Sequence, residues 1–266
     1  FEITNAEFKQ FVEAGGYRDA KYWKEPFKDG ARVLAFEEAI ERFRDATGRL
    51  GPASWQLGSF PEGQADFPVG GISWFEASAY AEFVGKRLPT IYHWYRAANP
   101  EDLFADILRV SNFDSRGPVK VGERAGLGPW GTLDMAGNVK EWCVNGANDE
   151  SMRYILGGGW NEPNYRYTEA DARSPWERAP TFGLRLMKDR EERPAGAIDD
   201  TTAPIAQVYG DPKSVVPVSD ALFEVYRRFY TYDRSALAAK TEAVDETPPY
   251  WRVETVSFAA AYGERG

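Results

Sequence analysis

Gly131-Thr132-Leu133-Asp134-Met135-Ala136-Gly137-Asn138-Val139-Lys140-Glu141-Trp142 decides how the rest of the chain is read. Two carboxylates, Asp134 and Glu141, bracket a tight turn at Gly137-Asn138, and the carbonyls between them can face one point. Hard cations such as calcium take six to eight oxygen ligands of this mixed kind. The competing reading is a structural turn, with Asp134 capping local amides and Glu141 paired to an arginine such as Arg173 or Arg185.

Around this turn the chain is globular in composition. It has 266 residues, 43% of them hydrophobic, and its 9 Trp, 14 Tyr and 16 Phe bury large areas without long regular elements. A net charge of −9 is the wrong sign for following a phosphate backbone, so nucleic acid is not an expected partner. No apolar run reaches membrane-spanning length, and no signal peptide is visible. The lone Cys143 has no internal disulfide partner, which fits a reducing, cytoplasmic setting. The lone His93 rules out a His-rich metal centre within the chain.

Local signals then place the elements. Thr4-x-x-Glu7 and Ser73-x-x-Glu76 are capping boxes. The first opens a helix carrying Phe8, Phe11 and Val12 and stopped by Gly15-Gly16, and the second opens a helix that runs to Gly85. Phe36, Ile40 and Phe43 predict a helix ending at Gly48, followed by a Gly- and Pro-rich loop over 51–66 that carries Trp55. Thr90 caps a further helix with His93 and Trp94, ended by Asn99-Pro100. Tyr154 to Leu156 read as a strand entering Gly157-Gly158-Gly159, where the backbone passes too close to a neighbour for a Cβ.

These motifs, in order, resemble the formylglycine-generating enzyme, or sulfatase-modifying factor, family. The resemblance is carried by Glu2-Ile3-Thr4-Asn5-Ala6-Glu7-Phe8, Pro68-Val69-Gly70-Gly71-Ile72-Ser73-Trp74, Gly85-Lys86-Arg87-Leu88-Pro89-Thr90, the opening stretch, Gly157-Gly158-Gly159-Trp160 and Gly183-Leu184-Arg185. It implies an α+β, C-type-lectin-like fold over 1–188, with the family's N-terminal strands truncated. A charged, breaker-rich linker follows over 189–217, including Asp189 to Gly196 and Asp199-Asp200-Thr201-Thr202. Residues 218–266 resemble the truncated start of an α/β-hydrolase region of the kind that follows such domains in bacterial serine/threonine kinases. There Ser219 caps a helix with Leu222, Val225, Tyr226 and Phe229, Trp251 to Phe258 read as a strand, and Tyr232-Asp233-Arg234-Ser235 and Val256 to Gly263 carry the likeness.

The resemblance also implies sites. Calcium would be held by side chains of Asp134 and Glu141 and carbonyls of Gly137 and Val139, with a weaker second set at Asn112, Phe113 and Asp114. Trp160, Asn161, Tyr165 and Tyr167 would line a cleft for a peptide or small molecule. Formylglycine generation needs two cysteines after the glycine turn, and 160–173 contains none, so a cuprous ion lacks its thiolates. Gly159 replaces the family's serine, and Lys140 its tryptophan. Neither copper, haem nor nucleotide is expected. Cys143 reads as a buried thiol and His93 as a hydrogen-bonded helix residue. The resulting expectation is a non-catalytic, calcium-stabilised module that binds a ligand or the adjoining kinase and hydrolase domains. Two alternatives stay open, a divergent enzyme using Glu162, Glu169 or Asp171 and a structural spacer.

Overall fold

The computed structural model describes residues 1–100, 107–148, 151–189, 200–207, 212–230 and 236–259. The chain divides into two compact units, Phe1–Gln207 and Val208–Gly266. Both mix helix and strand.

Helix α1 (Asn5–Glu13) starts where the Thr4 hydroxyl accepts from the Glu7 amide while the Glu7 carboxylate accepts from the Thr4 amide at 2.8 Å. The reciprocal bonds fix its first turn, and Phe8 and Phe11 then point inward, both fully buried. Phe8 stacks on Tyr80 of α3 (Trp74–Phe83), which begins with the same device at Ser73 and Glu76. Helix α4 (Ile91–Ala98) is capped by Thr90 and ends on Asn99, whose left-handed backbone breaks the ladder. Helix α2 (Phe36–Ile40) is shorter than the Phe36, Ile40, Phe43 spacing suggested. Its last amides turn to three-residue bonds, Arg42 to Ala39 and Phe43 to Ile40, and the Asp45 carboxylate then captures the amides of Thr47, Arg49 and Gly58. The Asp45 carboxylate so organises the loop that follows the helix, and takes the Thr47 amide that a longer helix would have used.

Strands β1 (Lys28–Asp29) and β2 (Arg32–Val33) form a short antiparallel pair, and a four-stranded sheet runs in the order β5 (Asp171–Arg173), β4 (Met152–Leu156), β3 (Lys140–Ala147), β6 (Phe182–Gly183). Strand β3 pairs antiparallel with β4, β4 with β5, and β3 runs parallel to β6. Side chains alternate across the sheet. Trp142 and Ile155 enter an aromatic core with Phe8, Phe43, Trp55 and Trp74, whereas Cys143, Tyr154 and Leu156 enter a second core with Trp94, Met135 and Tyr167. A Cβ on Gly158 would lie 2.6 Å from Phe113, and one on Gly159 2.7 Å from Thr181, so the glycine turn is a close approach.

The first unit extends past the expected boundary at 188, and part of the expected linker is packed. Asn145 on β3 donates to the carbonyls of Thr201 (2.7 Å) and Ala203 (3.0 Å), and Ile205 bonds Gly146 and Asn148 through its backbone. An unpaired stretch of β3 thus captures 200–207 as an edge partner. The linker residues 190–199 and 208–211 lie outside the described residues. So do Tyr232-Asp233-Arg234-Ser235 and residues 260–263.

In the second unit, Ser219 caps α5 (Asp220–Arg228), on which Leu222, Phe223, Val225 and Tyr226 are exposed. Strand β7 (Lys240–Asp245) pairs antiparallel with β8 (Val253–Ser257), which lies inside the stretch Trp251 to Phe258 read as a strand. Among the described residues no helix is long and apolar enough to cross a membrane.

Candidate functional site

The turn between the second core and β3 is built from three left-handed residues, Asp134 (φ 56°), Gly137 (φ 77°) and Asn138 (φ 61°). Gly137 is needed there for space as well as conformation, since a Cβ would sit 2.4 Å from the Asn112 carbonyl oxygen. Its amide donates to Gly157 O at 2.8 Å, and the Asn138 amide donates to Asn112 O at 2.9 Å. The Asn138 side chain accepts from the Val119 amide and from Asn112 Nδ2, and it donates to Glu2 Oε2 at 2.9 Å. One side chain therefore ties together segments that start at residues 2, 112 and 119.

Glu141 is 1% exposed and lies on the second-core side of β3. Arg185 donates to it from Nε and Nη2, and Trp94 Nε1 donates to Oε2 at 2.7 Å. The same guanidinium reaches the Leu133 carbonyl at 2.8 Å, so it clamps both ends of the turn. Of the two arginines open to Glu141 in the sequence, Arg185 is the partner, while Arg173 pairs with Asp171 at 3.0 Å. Asp134 accepts from the Gly122 amide, and Glu2, buried as well, accepts from the Val139 amide at 3.1 Å.

Three buried carboxylates thus face one guanidinium. Burial, then Glu141 and Asp134, push Glu2 well above the usual carboxylate range, and burial also raises Asp134. Burial works against the charge of Arg185, but Glu141 outweighs it and the pKa rises. The expected calcium donors Asp134, Gly137, Val139 and Glu141 all belong to this turn by sequence, and Glu141 is already engaged by Arg185 and Trp94. Among the described residues no three or more His, Cys, Asp or Glu side chains are grouped to hold a metal. In the weaker set, Asn112 is buried with Oδ1 lacking a hydrogen-bond partner, Phe113 packs under Gly158, and Asp114 is exposed.

On the other face of β3, Lys140 is 1% exposed and donates to Glu162 Oε1 at 2.9 Å and Asp171 Oδ2 at 2.5 Å. Glu162 Oε2 accepts from the Gly159 amide at 2.8 Å, and Glu169 pairs with Arg166. The three carboxylates considered for acid–base chemistry are thus each matched to a cation. Of the expected cleft, Asn161 and Tyr165 are exposed and Trp160 is half-buried. Tyr167 is a correction: it is fully buried in the second core, its hydroxyl on the Ala98 carbonyl at 3.0 Å, because a wide ring facing Trp94 gains more from packing than from a surface groove. Cys143 is fully buried, and burial, then Glu141, push its thiol pKa up. His93 Nδ1 is 2.5 Å from the Thr90 hydroxyl, as a helix-bound histidine should be. Glu2 and Trp94 were not singled out as site residues by sequence. Glu2 sits in the quoted Glu2-Ile3-Thr4 motif, which was the available signal.

The family model of the sulfatase-modifying factor enzyme 1-like domain matches residues 1–104 and 103–190. The chain belongs to this family. Among curated relatives, a serine/threonine-protein kinase pkn1 of Chlamydia caviae is 33% identical over 214 residues, covering 70% of this chain and 32% of the kinase. A hercynine oxygenase of Mycolicibacterium thermoresistibile is 29% identical, covering 73% of this chain and 50% of that protein. An inactive C-alpha-formylglycine-generating enzyme 2 of Bos taurus is 29% identical, covering 60% of this chain and 64% of that protein. The chain therefore spans about a third of the pkn1 it matches and half of the oxygenase.

Proposed function

We propose that this chain is a non-catalytic sulfatase-modifying-factor-like module that binds a ligand or positions neighbouring domains within a bacterial multidomain protein containing a kinase and a hydrolase. The observation that carries the reading is the segment after the glycine turn. It has no cysteine, its Glu162 and Asp171 are tied to a buried Lys140, and the lone thiol, Cys143, lies sealed in the core. A thiolate-dependent oxidation has no nucleophile within its reach. The pkn1 relatives support a kinase neighbour and the inactive bovine relative supports a family member without the chemistry; the hydrolase neighbour rests on the likeness of the second unit. A cytoplasmic location accords with the single reduced cysteine.

Calcium belongs to this proposal as a structural ion. What supports it is charge: Glu2, Asp134 and Glu141 are buried together around the Arg185 guanidinium, and a divalent cation on Asp134 and the Gly137 and Val139 carbonyls would balance carboxylate charge there. When bound, such an ion supplies electrostatic stabilisation of the turn and no reaction chemistry.

Deleting the whole first unit, residues 1–207, from the parent protein tests the binding role. The module reading expects kinase or hydrolase activity, or its response to ligand, to change. Unchanged activity and response would reduce the domain to a spacer.

A further inference from the structure

At the C-terminal end of α1 a cleft of about 480 Å³ opens between that helix and the loop carrying Arg44 to Gly58. Its charged lining is three arginines, Arg18, Arg44 and Arg49, against the single carboxylate Glu13. The chain as a whole carries a net charge of −9, so the sign is locally inverted. Arg44 is paired with Glu41, so Arg18 and Arg49 are the cations that chiefly attract an anion into the cleft.

The cleft is also held in shape. Asp45 is buried and accepts from the Thr47 amide (2.8 Å), the Thr47 hydroxyl (2.8 Å), the Arg49 amide (3.0 Å) and the Gly58 amide (2.7 Å). From behind, Arg178 donates to the Arg44 carbonyl at 2.9 Å and to the Gly51 carbonyl. Arg178 is itself locked on Glu76, which is fully buried and also accepts from the hydroxyl of Tyr17, a lining residue. The guanidiniums are steered in turn. Arg44 Nη1 donates to Gly48 O at 2.6 Å while its other amino group meets Glu41, and Arg49 Nη1 donates to Leu57 O at 2.9 Å. Each keeps further N–H donors for a ligand, since a guanidinium has five. Val12 and Leu50 add an apolar wall.

We propose that this cleft binds the dianion of a phosphate monoester. Such a group carries a charge near −2 and three acceptor oxygens, which suit forked arginine donors, and the apolar wall suits the organic part of the ester. A volume of this size accommodates a phosphorylated side chain or small metabolite. The inference deepens the binding-module reading by giving its ligand class, and none of the residues used belongs to the central turn or the Lys140 cluster.

The test is calorimetric titration of the full chain, at neutral pH and fixed ionic strength, with inorganic phosphate and with O-phosphoserine. Arg18→Gln and Arg49→Gln are run beside Arg32→Gln, which pairs with Glu38 and does not line the cleft. Saturable binding of O-phosphoserine is expected, weakened about tenfold by each of the first two variants and unaltered by the third. Phosphoserine binding at least as tightly as inorganic phosphate supports an esterified ligand, and binding of inorganic phosphate without binding of phosphoserine overturns the monoester assignment. Arg18 is exposed, so its variant keeps the fold, which a thermal melt verifies. Absence of saturation by both probes, or binding that Arg18→Gln and Arg49→Gln leave unchanged, overturns the proposal. That failure would leave the absence of formylglycine chemistry untouched, because the two are read by different assays.

Discussion

Arg185 holds Glu141 by both carboxylate oxygens, with Nε at 3.0 and 2.9 Å and Nη2 at 2.8 Å, at a place where Glu141 is 1% and Arg185 8% exposed. Removing one partner of such a pair strands a charge in the core. Arg185→Met is therefore expected to destabilise the chain by about 3–5 kcal/mol, measured by urea unfolding. Glu141→Leu combined with Arg185→Met should recover part of that loss, since the stranded charge is gone. Equal losses for single and double variants would show that the pair is not the source of the effect.

Lys140 is the corresponding cation on the opposite face of β3. With Arg173 on Asp171 and Arg166 close by as partial compensation, Lys140→Met removes the ammonium shared by Glu162 and Asp171. Their side chains are 20% and 13% exposed, so water screens part of the penalty, and a loss of about 1.5–3 kcal/mol is expected. Double variants with Glu162→Gln should be less than additive, because the residues share one network.

Asp45 supplies a pH dependence. Burial alone would raise its pKa, but bonds from the Gly58, Thr47 and Arg49 amides and the Thr47 hydroxyl more than offset this, and the net shift is downward. A carboxylate depressed in the folded state contributes stability that is present above its unfolded pKa, about 3.9, and is lost as pH falls through the lower folded value. Asp45→Asn should therefore destabilise at neutral pH, with a penalty that shrinks as the pH drops below the usual aspartate range. A penalty independent of pH would assign the effect to packing alone.

The turn makes a claim about calcium. A melt in calcium should have a higher midpoint than one in chelator, by the logic that an ion bound only to the folded state stabilises it. Asp134→Asn should remove the difference. Identical midpoints would leave the Arg185–Glu141 pair as the turn's staple without an ion.

The legible parts of this fold were those written in a few neighbouring residues. Both capping boxes, at Thr4 with Glu7 and at Ser73 with Glu76, satisfy helix-end amides within four positions, and the Thr90 cap and glycine turn are equally local. Glu141 as either an ion ligand or an arginine partner was also readable, because a carboxylate beside a buried aromatic strand needs a countercharge. Choosing Arg185 over Arg173 was not, since Arg173 ends β5 while Arg185 lies two residues beyond β6, and only the folded sheet brings one of them to Glu141. The Glu76–Arg178 lock joins residues 102 positions apart, and no local pattern announces it. Glu76 looked complete as a capping-box residue, yet its carboxylate also serves Tyr17 and Arg178. Phe43 lies in helical register with Phe36 and Ile40, but the amides of Arg42 and Phe43 already make three-residue bonds and the Asp45 carboxylate organises the loop beyond. Ile205 was lost in a charged stretch, and its docking on β3 depends on an edge that only the folded sheet presents.

The proposed absence of the family's oxidation can be measured on the chain itself. The direct measurement is to incubate the chain and copper with a sulfatase-type cysteine peptide under oxygen and follow the peptide by mass spectrometry. Because residues 160–173 hold no cysteine and Cys143 is fully buried, the peptide cysteine should remain unconverted. Catalytic conversion of that cysteine to formylglycine, absent from a copper-only control, would contradict the account.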